Sequence, residues 1–362
     1  MTNAPEQRLY AGILTRSDLI VLGLAVALTA AAGITHAIPA GAVIPFLAAA
    51  GAVTVLASLV GRSVEQLGDR FGPGATGALQ SALGNLPELF IALFALRAGL
   101  VTVVQSALIG SILANLLLVM GMAFVVGGIK HGPQKLDSKR AREIAVLMVL
   151  SVGAMVVPSL AAQIHTPAES HEGALSIFVS VILLLLFAVT LPGSLRRTTT
   201  EPAIESEPPR WPLWLAVGLL AVASVGAAFV SDWFVTALEP AMSALHISEA
   251  FAGLVVVAIA GNAIENVVGV QLAAANRSEY AFSVIIQSPL QIALVLAPVL
   301  VILSHVLGFA TLTLVFPPML VAAVCIAVLM AVFITFDGES TWTEGAAMIG
   351  LYGVIAAAFW WG

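Results

Sequence analysis

Charge is what this chain has least of. Only 9% of its 362 residues are Asp, Glu, Lys or Arg, and 60% are hydrophobic. Soluble domains carry about 25% charged and 45–50% apolar residues, so a water-soluble fold is excluded. The net charge of −6 offers no basic surface for nucleic acid. A single cysteine, Cys325, rules out an internal disulfide and reads as a small hydrophobe in an apolar run. H-E-x-x-H, the P-loop and the nucleophile elbow are all missing. Intramembrane metalloproteolysis and ATP-driven transport therefore lack their motifs, and no enzyme is expected. No secretory leader is expected either: the first dozen residues are polar and include Arg8. The first apolar run, Leu19 to Gly33, reads as a retained helix.

What the chain has in plenty is long apolar runs. A helix needs about 20 largely apolar residues to cross a bilayer. Eleven runs qualify: 18–35, 42–69, 75–97, 100–128, 142–162, 172–193, 211–231, 248–274, 280–305, 311–335 and 344–361. The fold class is therefore all-α, a polytopic membrane protein with eleven spans. The more polar run 231–247 is expected at the surface. Trp211, Trp214, Trp360 and Trp361 suit anchors at the membrane–water boundary. Thr198 to Arg210, rich in Pro, Thr and Glu, reads as a flexible connection.

The cations test the helix count. With eleven spans, Arg8, Arg16, Arg62, Arg70, Lys130, Lys135, Lys139, Arg140, Arg142, Arg196, Arg197, Arg210 and Arg277 fall on one side, and only Arg97 on the other. The positive-inside rule then puts the N-terminus in the cytoplasm and the C-terminus outside.

Two stretches repeat. Residues 84–121 slide onto 261–298 without a gap, at an offset of 177. Gly84 falls on Gly261, Asn85 on Asn262, Glu88 on Glu265, Ser106 on Ser283 and Ser111 on Ser288. Shared polar positions carry the match, because shared leucines are common in membrane sequence. Under the eleven-span topology the two copies run in opposite directions. The organisation expected is residues 1–41 with an extra helix, a first five-helix repeat over 42–193, a linker over 194–210 and a second repeat over 211–362. Inverted repeats characterise alternating-access transporters, whose substrate sits at the repeat interface near the midplane.

A carboxylate deep in lipid is costly and therefore usually functional. Glu88 and Glu265 would meet near the pseudo-two-fold axis, where they must share protons or hold a cation. That competition is a coupling mechanism. Calcium takes six to eight oxygens. Asn85 and Asn262 either add amide oxygens or brace a helix loosened at Gly84 and Gly261. Helix 4 brings Gln105, Ser106, Ser111 and Asn115, and helix 9 brings Gln287, Ser288 and Gln291. These line the site or hydrogen-bond between helices. Glu65 and Asp69 on the inner side, and Asp232 and Glu239 on the outer side, are either the two ion mouths or ordinary surface charge. His165, Glu169, His171 and Glu172 fit a weak metal site less well than a solvated loop. Asp337-Gly338-Glu339-Ser340 reads as a turn.

The stretches GNLPELFIALFALRAGLVTVVQSALIGSILANLLLVMG and GNAIENVVGVQLAAANRSEYAFSVIIQSPLQIALVLAP resemble the two signature repeats of the cation/proton exchanger (CAX) family, part of the Ca2+/cation antiporter superfamily. The C-terminal DGESTWTEGAAMIGLYGVIAAAFW is similar to that family's last helix. The resemblance implies exchange of cytosolic Ca2+ for protons across a cell membrane, with no cofactor beyond the transported ions and the lipid bilayer as the surrounding partner. It implies Glu88 and Glu265 as the paired binding carboxylates, and Glu65 and Asp232 as the acidic residues of helices 2 and 7. Departures fall at Asn266, where His is common, at Gln287-Ser288-Pro289, where Gly-Ser-Ser is common, and at Leu86-Pro87, where Ala-Val is common. The same scaffold moving Na+ or K+, exchange of Na+ for Ca2+, and a cation channel remain as alternatives. Oligomeric state is left open.

Overall fold

In the computed structural model the described residues are 13–71, 83–136, 138–197, 209–335 and 338–360. Nearly all are helical. In chain order the helices are α1 (Arg16–Ala37), α2 (Val43–Phe71), α3 (Leu86–Arg97), α4 (Val101–His131), α5 (Ser138–Gln163), α6 (Glu172–Arg197), α7 (Leu213–Leu245), α8 (Glu249–Gly261), α9 (Ala263–Ala274), α10 (Ser278–Leu307), α11 (Pro318–Thr335) and α12 (Trp342–Trp360). Among the described residues, eight helices are long and apolar enough to cross a membrane. The protein is an integral membrane protein.

The chain divides into two compact units. One holds Met1–Phe94 and Ala188–Leu245, the other Ala95–Phe187 and His246–Gly362.

In the first unit α2 packs along α7, with Phe46 and Phe234 rings 5.2 Å apart. Helix α1 opens with a capping box, Thr15 to Asp18. Asp18 is 2% exposed and makes an ion pair with Arg62 of α2 at 2.7 Å. At the other end of α1, His36 stacks on Trp233 of α7, ring centroids 5.6 Å apart.

Helix α7 corrects the reading of 231–247 as surface chain. The helix continues to Leu245 and buries Ser231, Phe234, Val235, Leu238, Ala241 and Met242. Their spacing of three and four makes one continuous apolar face, which the polar average of the stretch conceals. Trp211 also departs from its anchor role. It is 1% exposed and wedged within the first unit. Gln66 Oε1 accepts from the backbone N–H of Arg210 (2.9 Å) and of Trp211 (3.0 Å), and the Arg70 guanidinium donates to Trp211 O at 2.5 Å. The end of the expected linker is thus fastened to α2. Its beginning, through Arg197, continues α6, and 198–208 lie outside the described residues.

In the second unit helices approach at glycines. A Cβ on Gly110 would lie 2.2 Å from Leu254 O, and one on Gly345 would lie 2.5 Å from Gly121 O. Small residues let membrane helices pack backbone to backbone. Helix α4 carries a π-helical stretch at Ala114–Val119, and α10 carries one at Ile292–Leu296. The 177-residue offset places the first on 291–296.

The run 311–335 is corrected as well. Residues 309–317 are not helical, and α11 begins at Pro318. Pro317 and Pro318 explain the boundary: the residue before a proline avoids the helical region, and proline suits a first helical turn. Leu312, Leu314 and Phe316 of this segment are buried. Its backbone is satisfied by side chains. Ser159 Oγ donates to Leu314 O (2.9 Å) and accepts from Phe316 N (2.8 Å); Ser176 Oγ accepts from Leu314 N (3.0 Å) and Ser304 Oγ from Leu312 N (3.0 Å). Irregular backbone at membrane depth requires such internal partners.

At one end of this unit, β1 (Gln134–Lys135) pairs antiparallel with β2 (Glu339–Ser340). The Ser340 end of the expected turn is therefore a strand, while Asp337 lies outside the described residues.

Candidate functional site

The first signature stretch behaves as its sequence suggests. Gly84 and Asn85 form a turn directly before α3. Asn85 is buried, and its carbonyl accepts from Leu89 N at 3.0 Å. Pro87 falls in the first turn, where a helix has no internal use for the N–H that proline lacks. It therefore breaks no bond of α3. Glu88 is half-buried in the same turn, with Oε2 closed off from solvent. All of this lies in the first unit.

The second stretch lies in the second unit and breaks its helix at the matching place. Asn262 adopts φ −94° and ψ 14°, between α8 and α9. This bridge conformation is sparsely populated and recurs at functional sites. Gly261 is buried just before it. Glu265 is the third residue of α9; its side chain, like that of Asn266, lies outside the described residues.

Around Asn262 the structure assembles a buried amide–hydroxyl cluster. Asn262 Nδ2 donates to Ser111 Oγ and to Ala258 O, both at 2.9 Å. Asn262 Oδ1 accepts from Ser288 Oγ at 3.1 Å and from Asn115 Nδ2 at 3.3 Å. Asn115 Nδ2 also donates to Ser111 O at 2.9 Å and to Ser288 Oγ at 3.3 Å. Exposure is 0% for Asn115, 2% for Asn262 and Ser288, and 6% for Ser111. Both ends of the Asn262 amide are occupied by hydrogen bonds. Asn115 Oδ1, by contrast, is buried without a hydrogen-bond donor.

The remaining candidates are scattered. Gln105 Nε2 donates to Thr313 O (3.2 Å) and Val315 O (2.8 Å), and so holds the irregular 309–317 segment. Gln291 is buried in α10 and Gln287 is exposed on it. In the first unit Glu65 is exposed on α2 and Asp232 is half-buried on α7, while the Asp69 side chain lies outside the described ones. His165 Nδ1 pairs with Glu169 Oε2 at 3.0 Å on an exposed turn. Among the described residues no three His, Cys, Asp or Glu side chains are grouped to hold a metal. Sequence reasoning passed over Asp18 as a buried acid, although the Thr-x-x-Asp spacing signals its capping half.

Residues 41–195 and 215–361 match the sodium/calcium exchanger protein family. A Ca(2+)/H(+) antiporter of Aphanothece halophytica is 35% identical over 335 residues, covering 87% of this chain and 89% of that one. The Ca(2+)/H(+) antiporter ChaA of Bacillus subtilis is 37% identical over 317 residues, covering 85% and 89%. The solved structure of native YfkE matches with a TM-score of 0.81 at 31% identity, covering 94% of this chain and 99% of that one. The H+/Ca2+ exchanger CAX shares the fold, with a TM-score of 0.75 at 19% identity over 95% of this chain and 92% of its own. With both halves matched and relatives aligned over most of their length, the chain belongs to the sodium/calcium exchanger protein family.

Proposed function

We propose that this protein is a secondary antiporter of the cell membrane that exports cytosolic Ca2+ in exchange for protons. The observation that carries the reading is the duplicated Gly-Asn-x-x-Glu stretch. Each copy puts its glutamate in the first turn of a helix, directly after a turn or break at the asparagine. A carboxylate there is costly in lipid unless it is protonated or holds a cation. Glu88 and Glu265 therefore bind Ca2+ in one phase and protons in the other, and helix movement alternates access. Curated relatives 35% and 37% identical over most of the chain carry the name Ca(2+)/H(+) antiporter, which supports this choice of ions.

The eleven-span, inverted-repeat topology is supported by how the second unit ties its loops. At one end, Gln134 Nε2 donates to Asn276 Oδ1 (3.3 Å), Ser278 Oγ donates to Lys135 O (3.1 Å), and β1 pairs with β2. Loops following α4, α9 and α11 thus share one face. At the other, Ala310 N donates to Leu96 O (3.3 Å), and Ser159 and Ser176 hold the 309–317 segment. Loops following α3, α5 and α10 share that face. This alternation is what eleven spans require, counting α8 and α9 as one broken span. The excess of Lys and Arg assigns the first face to the cytoplasm.

Vesicles containing the protein should take up calcium-45 when a pH gradient is imposed, and replacing Na+ with choline should leave the rate unchanged. Glu88→Gln and Glu265→Gln should each abolish uptake. Uptake persisting in either variant refutes the assignment, and uptake that needs Na+ reassigns the counter-ion.

A further inference from the structure

We propose that Pro289 is a specificity-determining residue for the exchange: it leaves the backbone carbonyl of Ile285 without its helical partner, as an oxygen ligand for the transported cation. The inference rests on the exchange function proposed above.

In a regular helix the carbonyl of residue 285 accepts from the N–H of residue 289. Proline has no N–H, so Ile285 O loses that bond although α10 runs on past it. Water does not replace the bond, because Ile285 is 0% exposed and Pro289 is buried. Among the described residues no side chain donates to Ile285 O. A buried carbonyl at membrane depth needs a partner. Three residues on, α10 loosens again: Ile292 N is shared between Pro289 O and Ser288 O, and the π-helical stretch follows. Such departures recur at functional sites.

Two contacts place this carbonyl. Ser288 Oγ donates to Asn262 Oδ1 at 3.1 Å. A Cβ on Gly269 of α9 would lie 2.5 Å from Ile285 Cγ1. Helices α9 and α10 are therefore antiparallel neighbours, and Ile285, Ser288 and Pro289 share the face of α10 that meets α9. Between Asn262 and Gly269, α9 carries Glu265. A helical carbonyl points toward the C-terminal end of its helix, so Ile285 O is aimed along the stretch that lies beside Glu265.

The repeat makes the assignment specific. Under the 177-residue offset Pro289 falls on Ile112, which has an N–H and sits within regular α-helix. One copy thus keeps its carbonyl capped and the other does not. Calcium takes carbonyl oxygens among its ligands. A carbonyl does not titrate, so its pull on the cation is the same at every pH, whereas that of a carboxylate is lost on protonation.

The test returns the missing donor and then removes it again. Pro289→Ala restores the N–H. It should raise the KM for Ca2+ in pH-gradient-driven calcium-45 uptake at least about tenfold, the lower end of what groups around a bound metal contribute, and leave Vmax unchanged. It should also melt no lower than the wild type, since a helical bond is regained. An α-hydroxy acid placed at 289 by nonsense suppression lacks the N–H as proline does, but has no ring; it should keep the wild-type KM. A wild-type KM in Pro289→Ala overturns the proposal, as does an effect confined to Vmax. A lower melting temperature in Pro289→Ala overturns the premise that the bond is missing. An ester variant with the KM of Pro289→Ala also overturns it, because the ring rather than the carbonyl would then matter. Failure of the calcium reading shows separately, as a wild-type protein that takes up no Ca2+.

Discussion

Asn262 Nδ2 donates to Ser111 Oγ at 2.9 Å across 151 residues of chain. The bond joins a residue of the second signature stretch to a serine of the first, and both partners are nearly removed from solvent. A buried amide so placed cannot leave its partners without cost. Ser111→Ala leaves Asn262 Nδ2 with Ala258 O as a remaining acceptor, so it should lower stability by about 1 kcal/mol. Asn262→Leu takes a hydrogen-bond partner from Ser288 Oγ, Ser111 Oγ and Asn115 Nδ2 at once and should cost about 1–3 kcal/mol. Thermal unfolding of the purified variants ranks them; equal melting temperatures would refute the ranking.

The crossing of α4 and α12 makes a steric prediction. Gly345→Leu brings side-chain atoms against Gly121 O, where even a Cβ would lie at 2.5 Å. Forcing that contact apart should cost about 1–3 kcal/mol. Gly153→Ala in α5 meets nothing within 4 Å and, by helix propensity alone, should gain up to about 1 kcal/mol. A shared unfolding screen reads both, and the signs should be opposite.

The ion pair between Asp18 and Arg62 is asymmetric. Asp18 is 2% exposed, whereas the Arg62 side chain is 30% exposed. Arg62→Met leaves the Asp18 carboxylate with its Thr15 contacts alone. The loss should be about 1–3 kcal/mol, the range for leaving a buried partner unsatisfied. Asp18→Asn retains a hydrogen-bonding side chain at the cap and lets Arg62 reach water, so it should cost less. Melting temperatures of the two variants, compared at equal salt, decide the order.

Gln66 fastens two successive backbone N–H groups, those of Arg210 and Trp211. Gln66→Leu should release both. Amide hydrogen exchange at these two positions should then rise at least about tenfold, since loss of roughly 1.4 kcal/mol of local protection is a factor of ten, while exchange in mid-α7 stays unchanged. Unaltered exchange at Arg210 would show that Trp211 burial alone holds the chain there.

How much of this was readable in advance depends on what kind of signal each feature leaves. Helix positions were legible because lipid-spanning runs are long and apolar, and α1, α2, α4, α5, α6, α10 and α12 begin within a few residues of expectation. The break at Asn262 was legible from the duplicated Gly-Asn pair. The extension of α7 was not, because Asp232, Glu239 and Pro240 make the stretch polar on average although its buried face, from Ser231 to Met242, stays regular. Residues 311–317 were misread for the opposite reason: Leu312, Leu314, Val315 and Phe316 are as apolar as any helix, and only the Pro317-Pro318 pair marks the boundary. Asn115 was legible as a polar residue of an apolar span, but not through the repeat. The repeat that singled out Ser111 and Ser288 has isoleucine opposite it, so comparing the two copies could not flag it.

The segment 309–317 carries a different lesson in where information is stored. Its backbone is held by Ser159, Ser176 and Gln105, which lie 138–210 residues earlier in the chain. Because the held atoms are main-chain atoms, they are the same whatever side chain the segment bears. The instructions for its shape are therefore written largely on α4, α5, α6 and α10, with the Pro317-Pro318 pair marking its end. Substitutions within it that keep the apolar character should be absorbed, whereas a single hydroxyl lost from a distant helix should unfasten it.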